Sequence, residues 1–224
     1  MQPFLEAYLE IENTPRNHRT RSHLLAQLLA RFPNMGQIAF EDLLLLLERL
    51  EQSQVKIRMP LFAQVIYPVL QREIKSGNLQ AVSVLLQYTV CLYNYNRMHH
   101  LQDGYSEGAL IKRYLQRDPE NHDILLRKEA FLAKMVHYAL HELPQGVLYG
   151  INGATAEQCG ELLNLLEDYT RTCQTLQLDR SATIRYAAMH FQGYQDYLLH
   201  RQLYKNYLDY IHQHHLELPK GQPS

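Results

Sequence analysis

Tryptophan is absent from the 224 residues, and cysteine nearly so: Cys91, Cys159 and Cys173 are the only three. An odd count at wide spacing builds neither a disulfide framework nor a zinc knuckle, and it fits reduced thiols in a cytoplasm. A dominant charge is missing as well. Lys and Arg number 22 against 23 Asp and Glu, a formal net charge of -1, so no global field exists to gather a nucleic-acid backbone or an anionic lipid surface. The twelve histidines would turn the chain basic only at acidic pH. Long apolar runs are lacking too. The most apolar one, Leu43 to Leu47, is flanked by Glu41, Asp42, Glu48 and Arg49 and falls far short of the roughly 20 residues a bilayer crossing needs. The opening MQPFLEAYLEIEN carries Glu6, Glu10 and Glu12 and no basic region before an apolar stretch, so no signal peptide is expected. These absences disfavour membrane and direct nucleic-acid partners and predict a cytoplasmic protein.

What is present is apolar periodicity. Hydrophobic residues make up 46% of the chain and charged ones 20%, ample for a core. The spacing predicts helix after helix: Pro3 to about Ile11; a second capped by Thr14-Pro15 and ending at Pro33; a third over 38–52, apolar on nearly every side. Pro60 opens a helix over 61–76 that Pro68 should kink and Gly77 should stop. Asn78 should cap a helix through Tyr93, with so little polar stripe that a central, buried position is expected. GNLQAVSVLLQ resembles half an ankyrin repeat, but nothing recurs at that period. Residues 94–104 read as a polar, tyrosine-rich loop. Helices follow over 106–116, from an Asp118 cap to Leu143, from a Thr155/Gln158 capping box to about Leu178, and from Ser181 to a slip of phase near 193–200. Strands are not required anywhere. The expectation is therefore an all-α fold of about eight to nine helices, a layered helical bundle or an irregular array of antiparallel hairpins. A single domain over 1–218 is expected, with a subdivision near 94–105 as the alternative, and a disordered tail at 219–224.

Several constellations could carry chemistry. HELPQGVLYGINGATAEQCGELL, residues 141–163, holds three glycines between two helices. Its G-x3-G-x2-G spacing is neither a dinucleotide fingerprint nor a P-loop, and it follows a helix where both motifs need a strand, so it reads as a structural corner with Asn152-Gly153 turn chemistry. His137 and His141 stand four apart, a spacing at which two imidazoles can share a metal, but the glutamate of the zincin order H-E-x-x-H is not between them. His99-His100 and His212, His214 and His215 declare no ligand set either. His122-Asp123 resembles the HD metal-dependent phosphohydrolases by two letters, and an HD-like hydrolase using His122, Asp123, His137 and His141 is the rival enzymatic reading. The basic stretch PRNHRTRSH reads as the solvated start of a helix. No G-x-S-x-G is present, and the cysteines sit in apolar helical company, where thiols stay protonated.

One resemblance bears on function. RDPENHDILLRK together with YALHELPQGVLYGINGATAEQCGELLNLLEDY is similar to small helical bacterial immunity proteins of contact-dependent growth inhibition and other polymorphic toxin systems. It implies a non-enzymatic protein, needing no cofactor and no metal, that binds a cognate toxin domain, often a nuclease, and occludes its active site. A basic partner is complemented by acids. The candidates here are Glu157, Glu161, Glu167 and Asp168 on the capped helix, with Tyr197, Tyr204, Tyr207 and Tyr210 as anchors, because tyrosine supplies contact area at low entropy cost.

Overall fold

The computed structural model describes residues 1–15, 17–100 and 105–218, and it is predominantly helical, 74% helix against 2% strand. By its internal contacts the chain divides into two compact units, Met1–Gln116 and Arg117–Ser224. The division falls after the 94–105 stretch. Among the described residues there are eleven helices rather than eight or nine.

In the first unit α1 (Gln2–Asn13) packs on α2 (His18–Arg31). The cap of α2 is Asn17, whose side chain accepts from the Thr20 amide at 2.8 Å, and not Thr14, which closes α1 by donating its hydroxyl to the Glu10 carbonyl at 2.7 Å. Arg16 of the basic stretch lies outside the described residues; His18, Arg19 and His23 face solvent. A short turn (Pro33–Gln37) leads to α3 (Phe40–Gln52). The leucine run is not enclosed on all sides. Leu43, Leu46, Leu47 and Leu50 are buried while Leu45 is 43% exposed, the one-sided stripe of a surface helix.

Pro68 coincides with a change of helix type. α4 (59–76) carries a π segment, Phe62–Ile66, in which the Tyr67 amide reaches back to the Phe62 carbonyl just before the proline that has no N–H to give. Gly77, at φ 94°, stops it. The expected central helix over 79–93 is two: α5 (Leu79–Gln87) and α6 (Thr89–Met98), split at Tyr88 (φ -111°, ψ 30°). Val82, Val84, Leu85 and Leu86 are core, but after the break Val90 is 74% exposed, so the uninterrupted apolar text overstated burial. α6 also runs into the stretch expected to be loop; of that loop, 101–104 lie outside the described residues. α7 (Glu107–Leu115), capped by Ser106, packs on α5.

In the second unit α9 (Ala156–Thr175) lies between α8 (His122–Leu140) and α10 (Ser181–Leu199), and α11 (Tyr207–Gln213) packs on α10. Asn121, not Asp118, caps α8: it accepts from the Ile124 amide at 3.2 Å, and Asp118 holds the Asn121 side-chain amide at 2.9 Å. The core is Val136, Leu143, Val147, Cys159, Leu166, Tyr169, Phe191, Tyr207 and their neighbours. The phase slip is real. α10 ends at Leu199, a short turn Arg201–Leu203 follows, and α11 sets off on a new face. The expectation of no strand fails at one place, a two-stranded hairpin pairing Leu148 with Gly153 and Tyr149 with Asn152. The tail at 219–224 lies outside the described residues.

Candidate functional site

The 141–163 stretch is a corner with buried feet and an exposed tip. After α8, Leu143 is 1% exposed and Val147 is fully buried, so both feet of the loop are held by the core. Between them Gly146 lies against Tyr194: a Cβ there would sit 2.9 Å from its hydroxyl and 3.1 Å from its ring, a space only glycine fits. The hairpin then rises, its base closed by the Ala154 amide on the Val147 carbonyl at 2.8 Å. Its turn is Gly150-Ile151, with Asn152 and Gly153 already in the return strand, a correction to the turn expected at those two residues. Gly150 has φ 61°, the positive value that a type II′ turn requires at its first central position. Ile151 follows at 91% exposure. This β-branched apolar side chain is held almost wholly in water.

The hairpin is tied to α9. Thr155 and Gln158 form the expected capping box, at 3.2 Å from the Gln158 amide to the Thr155 hydroxyl and 3.0 Å from the Thr155 amide to the Gln158 side chain. The Tyr149 hydroxyl donates to the Glu161 carboxylate, and that bond raises the phenol's pKa by holding its proton. Glu157 and Glu161, four apart, share a helix edge and both are exposed. Tyr149, Ile151, Glu157 and Glu161 thus make one exposed surface, apolar at the tip and acidic along the side. A cleft of about 420 Å³ beside the hairpin, lined by Tyr138, His141, Gln145, Ile151 and Tyr194, adds a concave element to it.

The other acids differ. Asp168 falls on the same stripe but is engaged, 2.8 Å from Lys128 Nζ and 3.7 Å from Arg171, where it ties α9 to α8. Glu167 is exposed but lies about 120° round the helix from Glu161. The tyrosine anchors need correction: Tyr197, Tyr207 and Tyr210 are 6%, 1% and 5% exposed and belong to the core. Rings of Tyr194 and Tyr207 meet at 4.8 Å and those of Tyr197 and Tyr210 at 6.2 Å, the packing that joins α11 to α10, and Tyr204 of the connector packs on Tyr210 at 5.0 Å. Half-buried Tyr204 places its hydroxyl 3.0 Å from His214 Nε2. The apolar stripe that suggested a binding face is a second buried contact.

The rival metal constellation is not assembled. His122 and Asp123 open α8, and His137 stands fifteen positions further along the same helix, about 22 Å away. No group of three or more His, Cys, Asp or Glu side chains able to hold a metal occurs among the described residues. His141 is used locally, Nδ1 at 2.9 Å from the Tyr138 carbonyl and Nε2 at 3.1 Å from Glu142. All three thiols are free, and burial raises their pKa, to about 11 for Cys159. No helix among the described residues is long and apolar enough to cross a membrane.

Comparison with protein-family models, curated proteins and solved structures finds no match to this chain.

Proposed function

We propose that this chain acts by binding another protein, with the hairpin tip and the Glu157/Glu161 edge of α9 as the docking surface, and that its partner is a bacterial toxin domain which it neutralises in the cytoplasm by covering the active site. The observation that carries the reading is Ile151, 91% exposed on a turn whose base is buried. An apolar anchor preordered this way loses little entropy on burial in a partner's pocket, and the flanking carboxylates favour a basic rim around that pocket. Occlusion needs a rigid shape and no turnover. An HD-like hydrolase would instead need His122-Asp123 and His137 to converge, and they stand about 22 Å apart along one helix.

The test is co-purification and titration with the C-terminal domain of a toxin encoded beside this gene. Ile151→Asp and Glu161→Lys are each expected to weaken the complex at least tenfold, about 1.4 kcal/mol, while leaving the fold intact. Full affinity in both variants would discard this surface, and failure to bind or inhibit the neighbouring toxin would discard the immunity role.

A further inference from the structure

A cavity of about 630 Å³ lies between the end of α8 and the start of α10, within the roughly 300–1,000 Å³ of small-molecule sites. Its apolar wall is Val136, Leu140 and Met189. Its polar groups are unbalanced. Arg185 makes no hydrogen bond or ion pair among the described residues, and the positions three and four away on α10, Ser181, Ala182, Ala188 and Met189, offer it no acid. The wall also includes the first turn of α10, Ala182 and Thr183. No side chain caps that helix from its N-cap position; Asp179, two residues before it, accepts from the Ser181 amide at 3.0 Å and from the Ser181 side chain, and leaves the Ala182 and Thr183 amides free among the described residues. A free guanidinium and uncapped amides at the positive end of a 19-residue helix converge on one opening. Tyr186 adds a buried hydroxyl with no hydrogen-bond partner, where buried hydroxyls normally have one. Among the described lining residues His137 and His141 complete the polar wall, and Glu217 is the one carboxylate.

We propose that this cavity binds a small organic carboxylate with an apolar body, its anionic end on Arg185 and the α10 amides and its body against Val136, Leu140 and Met189. An inorganic anion would leave the apolar wall uncovered, and a neutral or cationic amphiphile would leave Arg185 unpaired. Glu217 opposes the ligand and sets an upper limit on its affinity. The site does not depend on the protein-binding reading, and neither fails with the other.

Calorimetric titration of the full chain with octanoate, octan-1-ol, octylamine and inorganic phosphate tests it. Octanoate should saturate one site below about 1 mM, with the alcohol, the amine and phosphate at least tenfold weaker. Arg185→Gln should weaken octanoate at least tenfold, Ala182→Trp should block the mouth and abolish binding, and Glu217→Gln should tighten it. Ala182 and Arg185 are exposed, so both variants keep the fold, which a thermal melt verifies. Absence of saturable octanoate binding, equal binding by Arg185→Gln, or an equal response to octan-1-ol or phosphate would each overturn the proposal.

Discussion

Gly146 and Tyr194 are in contact across the foot of the hairpin, so close that a single added carbon would stand 2.9 Å from the tyrosine oxygen. The ring cannot swing away freely, because Tyr194 is only 9% exposed and packs on Tyr197 and Tyr207. Gly146→Ala is therefore expected to lose about 1–3 kcal/mol by overpacking. At Gly153 the same carbon would have 3.7 Å of clearance, so Gly153→Ala should cost far less. Denaturant midpoints of the two variants, compared side by side, decide this; equal losses would mean the foot of the hairpin is not tightly packed.

At the tip the expectation reverses. Ile151 contributes almost no burial to the fold, so Ile151→Asp should shift stability by less than about 0.5 kcal/mol. Gly150→Ala, in contrast, forces a side chain into the positive-φ region and should cost about 1 kcal/mol even though nothing lies within 4 Å of the added carbon. Thermal melts separate the two: a large loss in Ile151→Asp would show that the tip is folded against something and is not free to dock.

Helices were legible wherever burial was one-sided and the cap was local, as at Asn78, Ser106 and Thr155/Gln158. Apolar text alone misled in two places. The run through Val90 looked like core, but a break at Tyr88 turned the next segment outward. The tyrosines 197, 207 and 210 looked like surface, but α11 folds back on α10 and buries them. Both outcomes depend on where a helix ends, and a one-residue break is nearly silent in a periodicity. The hairpin was missed because two residues per strand give no alternation to read; its signal was Leu-Tyr-Gly-Ile, an apolar pair followed by glycine. Glu129 was invisible for a different reason. It is buried at 7% exposure and held by Tyr169 at 3.1 Å and Arg180 at 2.9 Å, partners far along the chain.

The first unit contains a comparable ion pair. Arg58 grips Glu12 with three hydrogen bonds of 2.8 to 3.1 Å, and Glu12 is only 5% exposed at its side chain. Beside them the Tyr8 hydroxyl donates to the Lys56 carbonyl at 2.8 Å, and burial pushes its pKa up to about 12. Arg58→Met should leave a buried carboxylate unpaired and cost about 2 kcal/mol, less than a fully buried pair because the guanidinium is partly in water. Arg58→Lys should recover only part, since an ammonium cannot reproduce the fork. A lysine variant as stable as the parent would show that charge alone, and not the bidentate geometry, holds α1 to the 56–58 segment.

The buried imidazole of His190 gives the second unit a dependence on pH. Its Nε2 lies 2.8 Å from the Glu217 carbonyl, which can only accept, so that nitrogen carries a proton; the Tyr207 hydroxyl stands 3.1 Å from Nδ1 and 3.2 Å from the His190 carbonyl and has one proton for the two. Burial lowers the ring's pKa, the Glu217 carbonyl opposing only in part. The sign follows from proton counting. Below about pH 6.5 the unfolded chain takes up a proton that the folded ring refuses, so the stabilisation from His190 is complete above that pH and is lost as pH falls toward the folded-state value. The loss has a limiting slope of about 1.4 kcal/mol per pH unit. His190→Gln is expected to be less stable at pH 7 but to show a flatter profile between roughly pH 5 and 6.5, a window above the range in which carboxylates such as Asp179 and Asp209, both with lowered pKa, begin to protonate. Urea midpoints measured across that window give both slopes directly. An unchanged slope in the variant would assign the acid sensitivity to the exposed histidines and remove the buried ring from the account.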